Sequence, residues 1–275
     1  SKSLIAATLS LSNIYFLKST GYFSPETAEV PLIHTWSLGL EEQFYLLFPL
    51  LFLFRLKIRT IFTIVLALAV GSLLLSEAGA RFFPVANYYL LPTRVWEILL
   101  GAACAFQVFG KDRRISDGLA AAGLVLMISS IFLFDPSLNI PSAVALIPTG
   151  GAALVLLFAS HTSIVGRLLA FSPLVWLGRI SFSAYLWHQP VFAFWRIRSP
   201  EQPSTIVMCG LIGLVLPLSA LTWYFIEQPF RGQRVRFAKL AWTACAFAVG
   251  LTGFGAWGDV KKGLPTRLPT NVREF

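Results

Sequence analysis

Charge is scarce in this sequence. Only 13% of its 275 residues are Asp, Glu, Lys or Arg, roughly half of what a soluble domain carries. Against 56% hydrophobic residues, that excludes a water-soluble globule, because the apolar side chains exceed what a core can hide unless lipid replaces water outside it. Cysteine is scarce too. Cys104, Cys209 and Cys245 each sit inside an apolar run and form no CxxC pair, which excludes a disulfide framework and a thiolate metal site. The chain has no GxSxG elbow, no HExxH site and no GxxxxGK phosphate loop. His34 and His161 lie in or beside loops with no carboxylate at a metal-ligand spacing, so no metal is expected. There is no internal repeat and no low-complexity tract. The chain opens Ser1-Lys2-Ser3 without an initiator Met or a cleavable leader, so the expectation is that a longer protein begins upstream.

What is present is hydrophobic run after hydrophobic run, with 24 Phe and 8 Trp suited to hydrocarbon and its interfaces. Nine apolar segments can be drawn, at about 3–17, 37–54, 60–76, 88–109, 117–134, 142–159, 174–197, 205–226 and 239–257. Most approach the roughly 20 residues that a membrane helix needs. The predicted fold is therefore all-α, a polytopic transmembrane bundle of about nine helices over residues 1–257. The net charge of +9 lies in short clusters between these runs, the pattern of membrane loops rather than of a nucleic-acid surface; no nucleic-acid partner is expected, and the lipid bilayer is. Loops after the even-numbered segments hold Arg55, Lys57, Arg59, Lys111, Arg113, Arg114, Arg167, Arg231, Arg234, Arg236 and Lys239, eleven in all. The intervening loops hold Lys18, Arg81, Arg196 and Arg198, four in all. The first set is predicted to be cytoplasmic, which puts the tail from Gly258 to Phe275 outside an inner (plasma) membrane.

Polar residues gather at four places within the apolar runs. The first is His34-Thr35-Trp36-Ser37 with Glu41 and Glu42 just beyond. Adjacent helix positions point about 100° apart, so one carboxylate is expected to face a cavity and the other a neighbouring helix; buried ion pairing is the structural reading of the same residues. The second is Arg94 with Glu97, three apart and able to pair on one face. They are either a self-neutralising pair or an Arg that faces an anionic or carbonyl group. The third is Ser181, Tyr185 and His188, a polar stripe on one helix face, with His188 open to either a functional or a helix-bridging role. The fourth is Glu227 ahead of Arg231, read as a helix-end salt bridge.

At these residues the chain resembles the acyltransferase 3 family, the OafA-like membrane O-acetylases. The strings HTWSLGLEEQFYLLFP, TRVWEILLGA, GRISFSAYLWHQPVF and FIEQPFR occur in the family's order and cover most of the chain, the first being the most specific. The segment Gly263-Leu264-Pro265-Thr266-Arg267-Leu268-Pro269 is similar to the linker that precedes an extracytoplasmic SGNH-type domain in fused members. The resemblance implies transfer of an acyl group, usually acetyl, from cytoplasmic acyl-CoA to a hydroxyl of a cell-surface glycan, with no bound cofactor. It also implies that the family's principal catalytic His lies upstream of these residues. Supporting catalytic roles then fall to Glu41, Glu42, Arg94, Glu97 and His188, and substrate contacts to His34, Trp36, Ser37, Ser181 and Tyr185. Intramembrane Glu, Arg and His would equally serve a transporter or flippase of lipid-linked sugars. A purely structural scaffold leaves the buried charges unexplained.

Overall fold

The computed structural model describes residues 1–19, 28–108, 115–135, 138–199, 201–231 and 237–261, with helix as the regular structure among them. The basic loops at 109–114 and 232–236, and the tail from residue 262, lie outside the described residues. The chain divides into two compact units, Ser1–Gly39 with Gly178–Phe275, and Leu40–Leu177.

The first unit holds α1 (Lys2–Thr8), α2 (Ser12–Ser19), the start of α3 (Thr35–Leu47), α11 (Ser172–Arg198) from Gly178 on, α12 (Thr205–Thr222), α13 (Gln228–Arg231) and α14 (Phe237–Val260). Ser204 caps α12 by accepting from the Val207 N–H at 3.4 Å, which satisfies one of the free donors of a helix start. α1 packs on α14.

The second unit holds the rest of α3, α4 (Leu50–Leu53), α5 (Ile58–Phe82), α6 (Pro84–Tyr89), α7 (Leu91–Val108), α8 (Asp117–Leu133), α9 (Leu146–Phe158) and α10 (Ile164–Leu169). Its core joins Phe44, Ile61, Val65, Leu99 and Ala103. α5 and α7 are fastened by Ser72, which donates to the Pro92 carbonyl at 2.7 Å and accepts from the Trp96 N–H at 3.2 Å. That hydroxyl bridges the two groups that an unbroken helix joins directly. α8 and α9 meet through glycines. A Cβ on Gly123 would lie 2.5 Å from the Gly151 carbonyl oxygen, and a Cβ on Gly151 would lie 2.6 Å from that of Gly123. Only hydrogen permits this approach.

The all-helical expectation holds, but nine spans do not. Among the described residues, three helices are long and apolar enough to cross a membrane, namely Ile58–Phe82, Pro84–Val108 and Thr205–Arg231. The physical reasons differ. Ser10, at φ 56°, is in the left-handed region that breaks a helix, so the first segment becomes two helices of 7 and 8 residues. Pro49 disfavours helical geometry at Phe48, so α3 stops at Leu47 and α4 runs only from Leu50 to Leu53. Asp117–Leu133 and Ala143–Phe158 are apolar but shorter. α11 has the length, at 27 residues, but Arg179, Ser181, Ser183, His188 and Gln189 dilute its apolar character. Large apolar side chains nonetheless face outward, among them Leu74, Ile131, Phe132, Trp242, Phe247 and Val249, as they do where the surrounding solvent is lipid.

Candidate functional site

In the first unit, α11 gathers a cluster about Tyr185 and His188. The chain leading into α3 is tied to α11 from the side: Gln189 Nε2 donates to the Ala28 and Val30 carbonyls at 3.3 and 3.2 Å, and Arg196 Nη1 donates to Ala28 at 3.2 Å. This brings His34 against α11. The Tyr185 hydroxyl donates to the His34 carbonyl, which can only accept, so the Ser37 hydroxyl supplies the proton of its 2.6 Å contact with Tyr185. The ring centroids of His34 lie 5.1 Å from Tyr185 and 5.3 Å from His188, both edge-on.

The two imidazoles are set up differently. His188 Nδ1 lies 2.6 Å from the Tyr185 carbonyl. A carbonyl accepts only, so Nδ1 carries the hydrogen and Nε2 of the neutral ring is a bare lone pair. His188 lines a cavity of about 370 Å³ with Ser181, Ala184, Tyr185, Phe192 and residues of α12. Ser181 turns its hydroxyl back to the Gly178 carbonyl at 2.8 Å. His34 is buried, and neither ring nitrogen makes a hydrogen bond, although the nearby Pro31 carbonyl weakly favours the protonated ring. Burial, with the neighbouring His188 second, holds its pKa down at about 4, so the ring is neutral near pH 7. Two imidazoles and two hydroxyls side by side are a set of groups that can accept and pass a proton.

In the second unit, Arg94 Nη1 meets Glu97 Oε2 at 3.5 Å. Its Nε donates to the Tyr88 carbonyl at 3.0 Å, and its guanidinium sits 4.6 Å from the centre of the Tyr88 ring. Glu41 and Glu42 follow Leu40, which with Phe44 forms the buried face of α3. Both carboxylates are exposed and make no ion pair among the described residues. Trp36 is half-buried. No group of three His, Cys, Asp or Glu among the described residues could hold a metal ion.

Sequence reasoning missed Ser183, Gln189 and Arg196. Ser183 donates to Glu227 Oε1, while Glu227 Oε2 pairs with Arg231 at 3.2 Å. The spacing of Glu227 and Arg231 announces their pairing; nothing in the sequence announces the hydroxyl across from them.

The profile of an acyltransferase domain, that of the acyltransferase 3 family, matches residues 3–224. The chain is 30% identical over 232 residues to a Komagataeibacter xylinus protein named as a membrane-bound transacylase, BcsY, covering 81% of this chain and 57% of that one. It is 30% identical over 262 residues to a Bacillus subtilis protein named as a peptidoglycan O-acetyltransferase, YrhL, covering 84% and 40%. It is also 30% identical over 250 residues to the O-acetyltransferase OatA of Staphylococcus aureus, covering 84% and 41%. The chain thus spans about half the length of these relatives. No solved structure matches. The apolar helices and these relatives mark a membrane protein, and the chain belongs to the acyltransferase 3 family.

Proposed function

We propose that the chain forms part of a membrane O-acyltransferase that moves an acetyl or other acyl group from cytoplasmic acyl-CoA to a hydroxyl of a cell-surface glycan. The observation that carries this reading is His188, tied through Nδ1 to the Tyr185 carbonyl, beside His34, Tyr185 and Ser37. In O-acyl transfer the acceptor oxygen bonds to the thioester carbonyl carbon, the C–S bond breaks, and the hydroxyl proton leaves to a base and ends on the CoA thiolate. His188 is placed to accept or pass that proton, and Tyr185 and Ser37 to hold a sugar hydroxyl or the developing oxyanion. The names of the relatives support an acyl donor and a glycan acceptor. By the family resemblance the principal catalytic His lies outside these residues, so the cluster works with it rather than in its place. Arg94, Glu97 and the two carboxylates of α3 are supporting groups in this reading, with Arg94 suited to an anionic or carbonyl oxygen.

The test uses membranes that carry the whole natural protein, given acetyl-CoA labelled in the acetyl group and a cell-envelope glycan. Labelled ester on the glycan is the expected result, lost in His188→Gln. Movement of unmodified lipid-linked sugar across the membrane, with no label transferred, would replace this reading with a flippase.

A further inference from the structure

The helix over Thr205–Arg231 changes its winding near its end. Trp223–Glu227 form a π-turn, with the Gln228 N–H reaching back five residues to the Trp223 carbonyl. The local cause is Pro229. It has no N–H for the Phe225 carbonyl, its partner in an α-helix, and its ring crowds that oxygen. A π-turn is in effect a helix with one residue added, a feature that recurs at functional sites.

That added residue changes which side chains share a face. In an α-helix Thr222 and Glu227, five apart, would point about 140° away from each other. In the π-turn both reach α11. Thr222 Oγ1 accepts from Trp187 Nε1 at 2.9 Å, and Glu227 Oε1 accepts from Ser183 Oγ. On α11 Ser183 and Trp187 are an ordinary four apart. A four-residue step on one helix is thus matched to a five-residue step on its neighbour, and the π-turn makes the two fit. Both contacts are built. Ser183 is fully buried. The Glu227 side chain is only 11% exposed, with Arg231 balancing its charge from a 66% exposed position. Thr222 completes its own hydrogen bonding to the Leu218 carbonyl at 2.9 Å.

We propose that this π-turn is a register lock on α11, and that Glu227 is a positioning residue for the Tyr185–His188 site. The two contacts fix the rotation of α11 about its axis from one side. Tyr185 and His188 occupy other directions on the same helix, so that rotation decides whether they meet His34 and Ser37. The inference rests on the reading of that cluster as the reaction site.

The experiment measures kcat and donor KM for acyl transfer by the whole protein in membranes, at matched protein level. Glu227→Ala is expected to lower kcat roughly tenfold with donor KM unchanged, and Glu227→Gln, which still accepts from Ser183, to stay within a few-fold. Deleting the exposed Phe225 together with Pro229→Ala makes Thr222 and the glutamate four apart on an ordinary α-helix, so activity should persist. Inserting one alanine after Phe225 puts them six apart and should abolish it. If the deletion variant does not accumulate, the Ser183→Ala and Glu227→Ala pair decides: the losses in kcat must be non-additive. Additive losses, unchanged kcat in Glu227→Ala, or equal damage from deletion and insertion would overturn the register lock. If His188→Gln is also fully active, the site reading has failed instead, whatever the π-turn does.

Discussion

His34 is an imidazole held neutral by its surroundings, and that has a sign that can be checked. Its pKa is about 4 in the folded protein against 6.5 in an unfolded chain. Below pH 6.5 the unfolded chain takes up a proton that the folded site refuses until about pH 4, so stability falls as pH is lowered through that window. The thermal midpoint of the detergent-solubilised protein should drop between pH 6.5 and 4, and His34→Phe should flatten the drop. An unchanged pH slope in the variant would mean that His34 is protonated or water-exposed in the fold. Arg94 and Glu97 pose the complementary case of charge that must stay paired. Their side chains are 15% and 26% exposed, so Arg94→Ala leaves a carboxylate in apolar surroundings, at a cost of about 3 kcal/mol. The protein level or the acylation rate should fall sharply in Arg94→Ala. If the pair is only self-neutralising, the double variant with Glu97→Ala should recover both; if Arg94 holds a reacting oxygen, the protein recovers and acylation does not. Assay of membrane protein and labelled product side by side separates the two.

At the scale of elements, α8 and α9 touch backbone to backbone through Gly123 and Gly151. Gly151→Val would force the helices apart and should lower the thermal midpoint, a cost of about 1–3 kcal/mol for overpacking, whereas Gly150→Ala, with open space at its Cβ, should be nearly silent. A normal melting curve for Gly151→Val would show the two helices free to separate. The meeting of Gly123 with Gly151 was not legible in the sequence, because spacing along a chain does not say which helices will be neighbours. The same limit applied to His34 and Tyr185, which meet across 151 residues. What was legible was local: the helical class, the i,i+3 pairing of Arg94 with Glu97, the i,i+4 pairing of Glu227 with Arg231, and the side-by-side stripe of Ser181, Tyr185 and His188. Helix length was not. An apolar run continues through Ser10 or Pro49 without a change in hydropathy, while the backbone turns there.

At the scale of the whole molecule, the orientation we propose rests on charge alone. Lys and Arg are biased eleven to four toward one set of the loops drawn from the sequence, and the proposal puts Arg55, Lys57 and Arg59 on the cytoplasmic side. A cysteine replacing Glu29 should react with an impermeant thiol reagent on intact cells, and one replacing Lys57 only after the cells are opened. The reverse pattern would invert the topology. Among the native cysteines Cys104 is buried, whereas Cys209 and Cys245 are exposed on apolar helices and are changed to Ser before labelling.

The strap at residues 28–30 is gripped by its main chain. Gln189 and Arg196 hold carbonyl oxygens of Ala28 and Val30, and a carbonyl is what every amino acid provides, proline included. The fold therefore spends its specificity on one side of this contact alone. Positions 28 and 30 can drift through most of the amino-acid alphabet while the approach to His34 stays in place. In a saturation library scored for acylation, these two positions should be nearly blank, and Gln189 and Arg196 should show as dark columns.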